Sequence, residues 1–194
     1  MTATDPLRPD LARELIARAT QSAERRAKRL RNHLEAVQLG QHRHADHADH
    51  ADTKVLRRIL AEHGWPGHRL VGPEAARAAW SLALHSNDEP DFQRAATTLL
   101  ERAVRDNDAW IQHWAHLYDR TLVNSGQPQE FGTQIILTAT GIELCPTRAP
   151  KSLDQRRTHV GLKPITAALT MVRRRHTSDP NVCDSPTIVL AVAV

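Results

Sequence analysis

A chain of 194 residues with 40% hydrophobic content has room for one domain with a sizeable core, and with only 4 Trp, 2 Phe and 1 Tyr that core must be largely aliphatic. Its 26 Lys and Arg against 22 Asp and Glu make a mixed surface of formal charge +4, which does not indicate a nucleic-acid partner. Two cysteines are too few for a disulfide scaffold, and the polar start MTATDPLRPD carries no signal-peptide pattern, so the expectation is a reduced, cytoplasmic protein with no membrane partner.

From Asp10 to about Leu39, Leu11, Leu15, Ala19, Ala23, Ala27, Leu30, Leu34 and Val37 recur at helical spacing, opposite a basic face that includes Arg18, Arg25 and Arg26. This predicts an amphipathic helix, either an accessory arm or the contact of a homodimer. The connector QHRHADHADHADTK follows. Its His44, His47, His50, Asp46 and Asp49 are a conceivable metal-ligand set, but a low-complexity repeat of exposed residues reads better as a solvated segment, and no metal is expected. Asp52-Thr53 should cap the next helix, which carries Val55, Leu56, Ile59 and Leu60 and stops at Gly64.

Trp65-Pro66-Gly67 turns the chain, and Gly72-Pro73 opens a helix with the small face Ala75, Ala76, Ala79 and Ala83, ending at His85. Pro90 begins a helix to about Arg105 with Phe92, Ala96, Leu100 and Ala103 inward. Asp108 is expected to cap the helix after that, which contains Asp119 and Arg120. The spacing of His113, His116 and Asp119 drifts around this helix, which reads as surface rather than as a metal triad. Beyond Asn124-Ser125-Gly126 the chain becomes extended, and Ile135–Thr138 with Ile142–Cys145 predicts a β-hairpin. A short helix with Arg156 and Arg157 and a longer one from Pro164 to Arg175 complete the region. The tail Thr187–Val194 is β-branched and uncharged, and is expected to add a strand to the hairpin.

The residues that carry chemistry gather in a few motifs: Gly64-Trp65-Pro66, Leu70-Val71-Gly72, Ala79-Trp80 with His85, Asp119-Arg120, Pro128-Gln129, Phe131-Gly132-Thr133-Gln134, Arg156-Arg157 and Gly161-Leu162-Lys163-Pro164. In this order they resemble a family of bacterial proteins of unknown function over roughly Asp49 to Leu169. The resemblance implies a fold and a set of positions, with no agreed activity to carry over. Phe131 stands where the family usually has Tyr, which takes a phenolic hydroxyl out of consideration.

These readings converge on a mainly α, compact single-domain helical bundle with one small β-hairpin. Residues 1–45 form the basic helix and His-rich connector, 46–176 the motif-bearing domain with its hairpin near 135–145, and 177–194 the tail. A polar pocket is expected between the helix bearing Asp119-Arg120 and the Gln129–Gln134 segment. His85 is the expected acid or base, oriented by Asp119, with Trp65, Arg120, Gln129, Phe131, Thr133, Gln134, Arg156 and Arg157 around the substrate. The chain has neither a Gly-rich phosphate loop nor a nucleophile elbow, so the expected function is cofactor-independent acid–base chemistry. It would be of the isomerase, cyclase, lyase or hydrolase type, on a small anionic metabolite or modified peptide, as in natural-product biosynthesis. The alternative is a non-catalytic binding or protein-interaction module whose buried polar network fixes the fold.

Overall fold

The computed structural model describes residues 5–38, 49–138, 141–178 and 188–189. Among them the chain is mainly helical: α1 (Pro9–Gln38), α2 (Asp49–His63), α3 (His68–Leu84), α4 (Pro90–Arg105), α5 (Ile111–Asn124), α6 (Leu153–His159) and α7 (Ile165–Ser178). A short 3-10 turn, Pro150–Ser152, leads into α6. Strands β1 (Ile135–Thr138) and β2 (Gly141–Leu144) pair antiparallel, Ile135 opposite Leu144.

The aliphatic core lies among α1 to α5. Leu15, Leu56, Leu84, Leu100 and Leu117 are fully buried there, each worth about 1.5 to 3 kcal/mol of apolar burial. The alanine face of α3 allows α1 to approach it closely, and Trp65 is a core plug in the same cluster. A second, smaller cluster of Ala115, Phe131 and Val160 joins α5 to the segment before the hairpin and to α6.

Several local expectations hold. α2 stops with Gly64 at φ 71, a left-handed conformation that glycine adopts without strain, and α4 begins at Pro90. α3 has a first turn from His68, then a break at Gly72 (φ 79, ψ 164) before Pro73 restarts it. The tail strand β3 (Ile188–Val189) pairs parallel to β1, covering the edge that the hairpin leaves open.

Two caps differ from expectation. Asp52 lies inside α2, not at its start, and its carboxylate pairs with Arg18 and Arg25 of α1, so it ties two helices together. Asp108 does not cap α5, whose N-terminal neighbour Trp110 offers no side-chain bond. It turns back instead to the start of α3 and accepts from the Arg69 N–H at 2.8 Å.

Candidate functional site

Asp119 and Arg120 are consecutive on α5 and therefore project about 100° apart. Asp119 faces the segment 128–134. Its carboxylate is fully buried and accepts from the backbone N–H groups of Glu130 (2.8 Å), Phe131 (3.0 Å) and Thr133 (2.9 Å) and from the Thr133 hydroxyl (2.9 Å). Burial pushes its pKa up, against the pull of these donors. Gln129 closes the other side: its amide donates to the carbonyls of Gln134 and Cys145, both at 2.9 Å, and accepts from Gln134 N–H at 2.8 Å. Gln134 donates in turn to the His116 carbonyl and the Thr133 hydroxyl. Phe131 packs its ring against Trp114 and Tyr118, an apolar seat with no role for a phenol.

Two arginines of α6 lock the segment from outside. Arg156 donates from Nε to the carbonyl (2.9 Å) and carboxylate (2.8 Å) of Glu130. Arg157, buried, donates from Nη1 to the carbonyls of Phe131 (2.6 Å) and Gly132 (3.1 Å) and from Nε to that of Lys163 (2.6 Å). Gly132 has φ 64, and a Cβ there would come within 3.2 Å of the Leu153 side chain, so any other residue brings left-handed strain and crowding against α6. The expected pocket between the Asp119 face and the Gln129–Gln134 segment is thus filled by a hydrogen-bond network, in which the Gln134 Oε1 alone is left without a partner among the described residues. Asp119 positions this loop. Each of its hydrogen bonds goes to a donor of the loop, and none of those described goes to His85.

Arg120 points the other way, toward the α3–α4 turn. Among the described residues it is the largest fully buried side chain, yet Nε and Nη2 have no hydrogen-bond partner there, and Nη1 only approaches Asn87 Oδ1 at 3.5 Å. Burial, with the Arg26 guanidinium adding to it, brings its pKa down to about 10, with Cys145 the opposing influence. Exposed amides lie over it: Asn124 donates to Asn87 Oδ1 (3.1 Å) and to Gln93 Oε1 (2.8 Å). His85, two residues before Asn87, is half-buried at the C-cap of α3. Its Nδ1 meets the Ser81 carbonyl at 2.7 Å; a carbonyl only accepts, so Nδ1 carries the proton and Nε2 is the basic nitrogen.

A cavity of about 220 Å³ opens elsewhere, between Gly132-Thr133, α5, α6 and α7, with His116, Arg157 and Lys163 in its wall. His113 and His116, expected at the surface, are instead packed inward. The His113 ring stacks on Trp80 at 4.1 Å, and His116 meets the same indole edge-on at 5.9 Å. Burial, then the charges around them, holds both neutral, pushing His113 down to about 4 and His116 to about 3.

The structure therefore divides the expected site residues. Asp119, Gln129, Phe131, Thr133, Gln134, Arg156 and Arg157 come together as one network; Trp65 belongs to the core; Arg120 turns away to Asn87 in the α3–α4 turn, which begins at His85, the C-cap of α3. Sequence reasoning missed Asn87, Gln93, Asn124 and the cavity residue His116. The only available signals were the proximity of Asn87 to His85 and the one-turn spacing of His116 and Arg120. Of the suggested metal ligands, His44, Asp46, His47 and the side chain of Asp49 lie outside the described residues, and His50 pairs with Glu89 at 3.0 Å. Among the described residues no three His, Cys, Asp or Glu side chains are grouped to hold a metal, and no helix is long and apolar enough to cross a membrane.

No curated protein and no solved structure matches the chain. One family model does, over residues 9–176, which takes in every motif described above. The chain belongs to the family of unknown function DUF6624.

Proposed function

We propose that this protein is a cofactor-independent enzyme acting on a small anionic molecule, with Arg120 holding the anion and His85 moving the proton. The observation that carries this reading is the buried Arg120 guanidinium, whose Nε and Nη2 have no partner among the described residues. An uncompensated buried charge costs several kcal/mol, a cost that a carboxylate or phosphate would offset. Nε and Nη2 form one edge of the guanidinium, the edge that takes a carboxylate through two parallel hydrogen bonds. Asn87 and Asn124, exposed above it, supply further amides for a substrate entering from solvent. His85 supports the acid–base part, since its anchored Nδ1–H leaves Nε2 as the accepting nitrogen. The loop network has a different part, which is to fix α5 and hence the direction of Arg120.

The alternative is a binding module without chemistry. It is favoured by the Asp119–Gln129–Thr133 network, whose members bond mainly to one another. Both readings meet one experiment: thermal melting of the wild type and of Arg120→Met against a panel of small carboxylates and phosphates, followed by mass spectrometry of any stabilising compound after incubation. A compound at about 100 times its Kd should stabilise the wild type by about 2.7 kcal/mol. Arg120→Met should fold at least as well as wild type without ligand and show no such response. Conversion by wild type but not by His85→Gln supports the enzyme; recovery of the compound unchanged from wild type supports the binding module. An Arg120→Met protein that responds as wild type does would remove Arg120 from either role.

A further inference from the structure

We propose that the cavity between Gly132-Thr133 and α7 is a second binding site, separate from Arg120, for a short-chain carboxylic acid. Its wall has two unlike halves. One half is cationic: Arg157 uses Nη1 and Nε on the carbonyls of Phe131, Gly132 and Lys163, which leaves Nη2 with no partner among the described residues, and Lys163 lies beside it. No Asp or Glu lines the cavity itself; the carboxylates that act on Arg157, those of Asp154 and Asp119, stand behind its wall. The other half is aliphatic, built from Ile135 and the α7 residues Ile165, Leu169 and Val172. A molecule matching both halves carries one negative charge on an apolar body.

His116 narrows the choice. It stands in the cavity wall, and its Nδ1 is buried without a partner among the described residues. The ring is neutral, so it adds no third positive charge to the wall. That complement suits a monoanion better than a phosphate dianion. Size sets the chain length. A cavity of about 220 Å³ favours an acid of a few carbons over a long fatty chain.

Isothermal titration with acetate, propionate, butyrate, pentanoate and heptanoate tests this, with pentanamide as the uncharged control. Affinity should tighten about fourfold per methylene over the first few carbons and then fall, in keeping with the transfer of a CH₂ from water to an apolar wall. Pentanamide should bind at least about tenfold more weakly than pentanoate, as expected when a charge-assisted bond to arginine is lost. Leu169→Trp, which fills the aliphatic half, should abolish binding, while Arg120→Met should leave it unchanged. If Leu169→Trp does not fold, Ala168→Leu takes its place. The proposal is overturned if no acid binds saturably, if the amide binds as well as the acid, or if the filled variant binds as wild type does. Binding lost in Arg120→Met but kept in Leu169→Trp would move the acid to the first site and likewise overturn the second.

Discussion

Replacing Asp119 by Asn changes one oxygen into an amide nitrogen at the point where four donors converge. In the native loop, Oδ1 accepts from Glu130 N–H at 2.8 Å and Phe131 N–H at 3.0 Å, while Oδ2 accepts from Thr133 N–H and the Thr133 hydroxyl, both at 2.9 Å. An Asn can keep its oxygen on one pair only. Its –NH₂ then meets the other pair, where a backbone N–H cannot accept from it and the Thr133 hydroxyl could do so only by giving up its own donation. Two hydrogen bonds to a charged acceptor are lost at about 1.5 to 3 kcal/mol each, and the remaining two weaken. The expected cost is about 4 kcal/mol, a large part of a typical total of 5 to 15. It should appear in urea unfolding as a lower midpoint with an unchanged slope. In thermal melting it should appear as a drop of about 8 to 16 °C, at 2 to 4 °C per kcal/mol for a chain of this size. An Asp119→Asn protein within about 1 kcal/mol of wild type would refute the reasoning, because the loop would then be held without its carboxylate.

Two further outcomes follow from the packing. With His113 at about 4 and His116 at about 3, against 6.5 for a free imidazole, the unfolded chain binds protons that the folded one does not as the pH falls below about 6.5. Stability is then lost on acidification, about 3 kcal/mol for the two together between pH 7 and pH 5. Urea midpoints at pH 7, 6 and 5 should show this slope in wild type, and a His113→Phe/His116→Phe double variant should be flatter over the same range. Equal slopes would mean that the imidazoles titrate freely in the fold. Truncation after Ser178 removes β3 and exposes the outer edge of β1, so the shortened protein should aggregate at concentrations where the full chain stays monodisperse by light scattering; unchanged solubility and melting would show that the Ile188–Val189 pairing is dispensable.

What could be read from the sequence followed from periodicity and chain punctuation. Pro90 and the inward spacing of Phe92, Ala96 and Leu100 define α4, Gly64 stops α2, and the apolar tail finds the β1 edge, because each of these depends on residues close in sequence or on a strand pattern. The face of α5 could not be read this way. Whether His116 and Asp119 are inside depends on what covers them, and the cover is an aperiodic loop held by Asp119 itself, with Gly132 and Arg157 shaping it. The motif residues also looked alike as candidates because polarity in sequence does not distinguish a donor turned to a backbone carbonyl from one left without a partner. Arg157 shows mostly the first and Arg120 the second, a difference that appears only once Asn87 and Asn124 are seen to lie over Arg120.

The clasp between Asp108 and the start of α3 bears on the order in which the chain folds. His68 and Arg69 donate their backbone N–H groups to the carbonyl and carboxylate of Asp108, 39 residues beyond Arg69, and Arg69 also reaches the Asp106 carbonyl. Gly67 lies so close to Asp108 that a Cβ would collide with both its carboxylate and its carbonyl. A helix whose first N–H groups are satisfied by a neighbouring side chain can begin by itself; this one begins with acceptors that arrive only when the α4–α5 corner has docked. The closure entropy of that long loop is therefore part of forming the first turn of α3. A junction that looks like a simple turn between two helices is a joint made across the molecule, held by a residue 39 positions further along the chain.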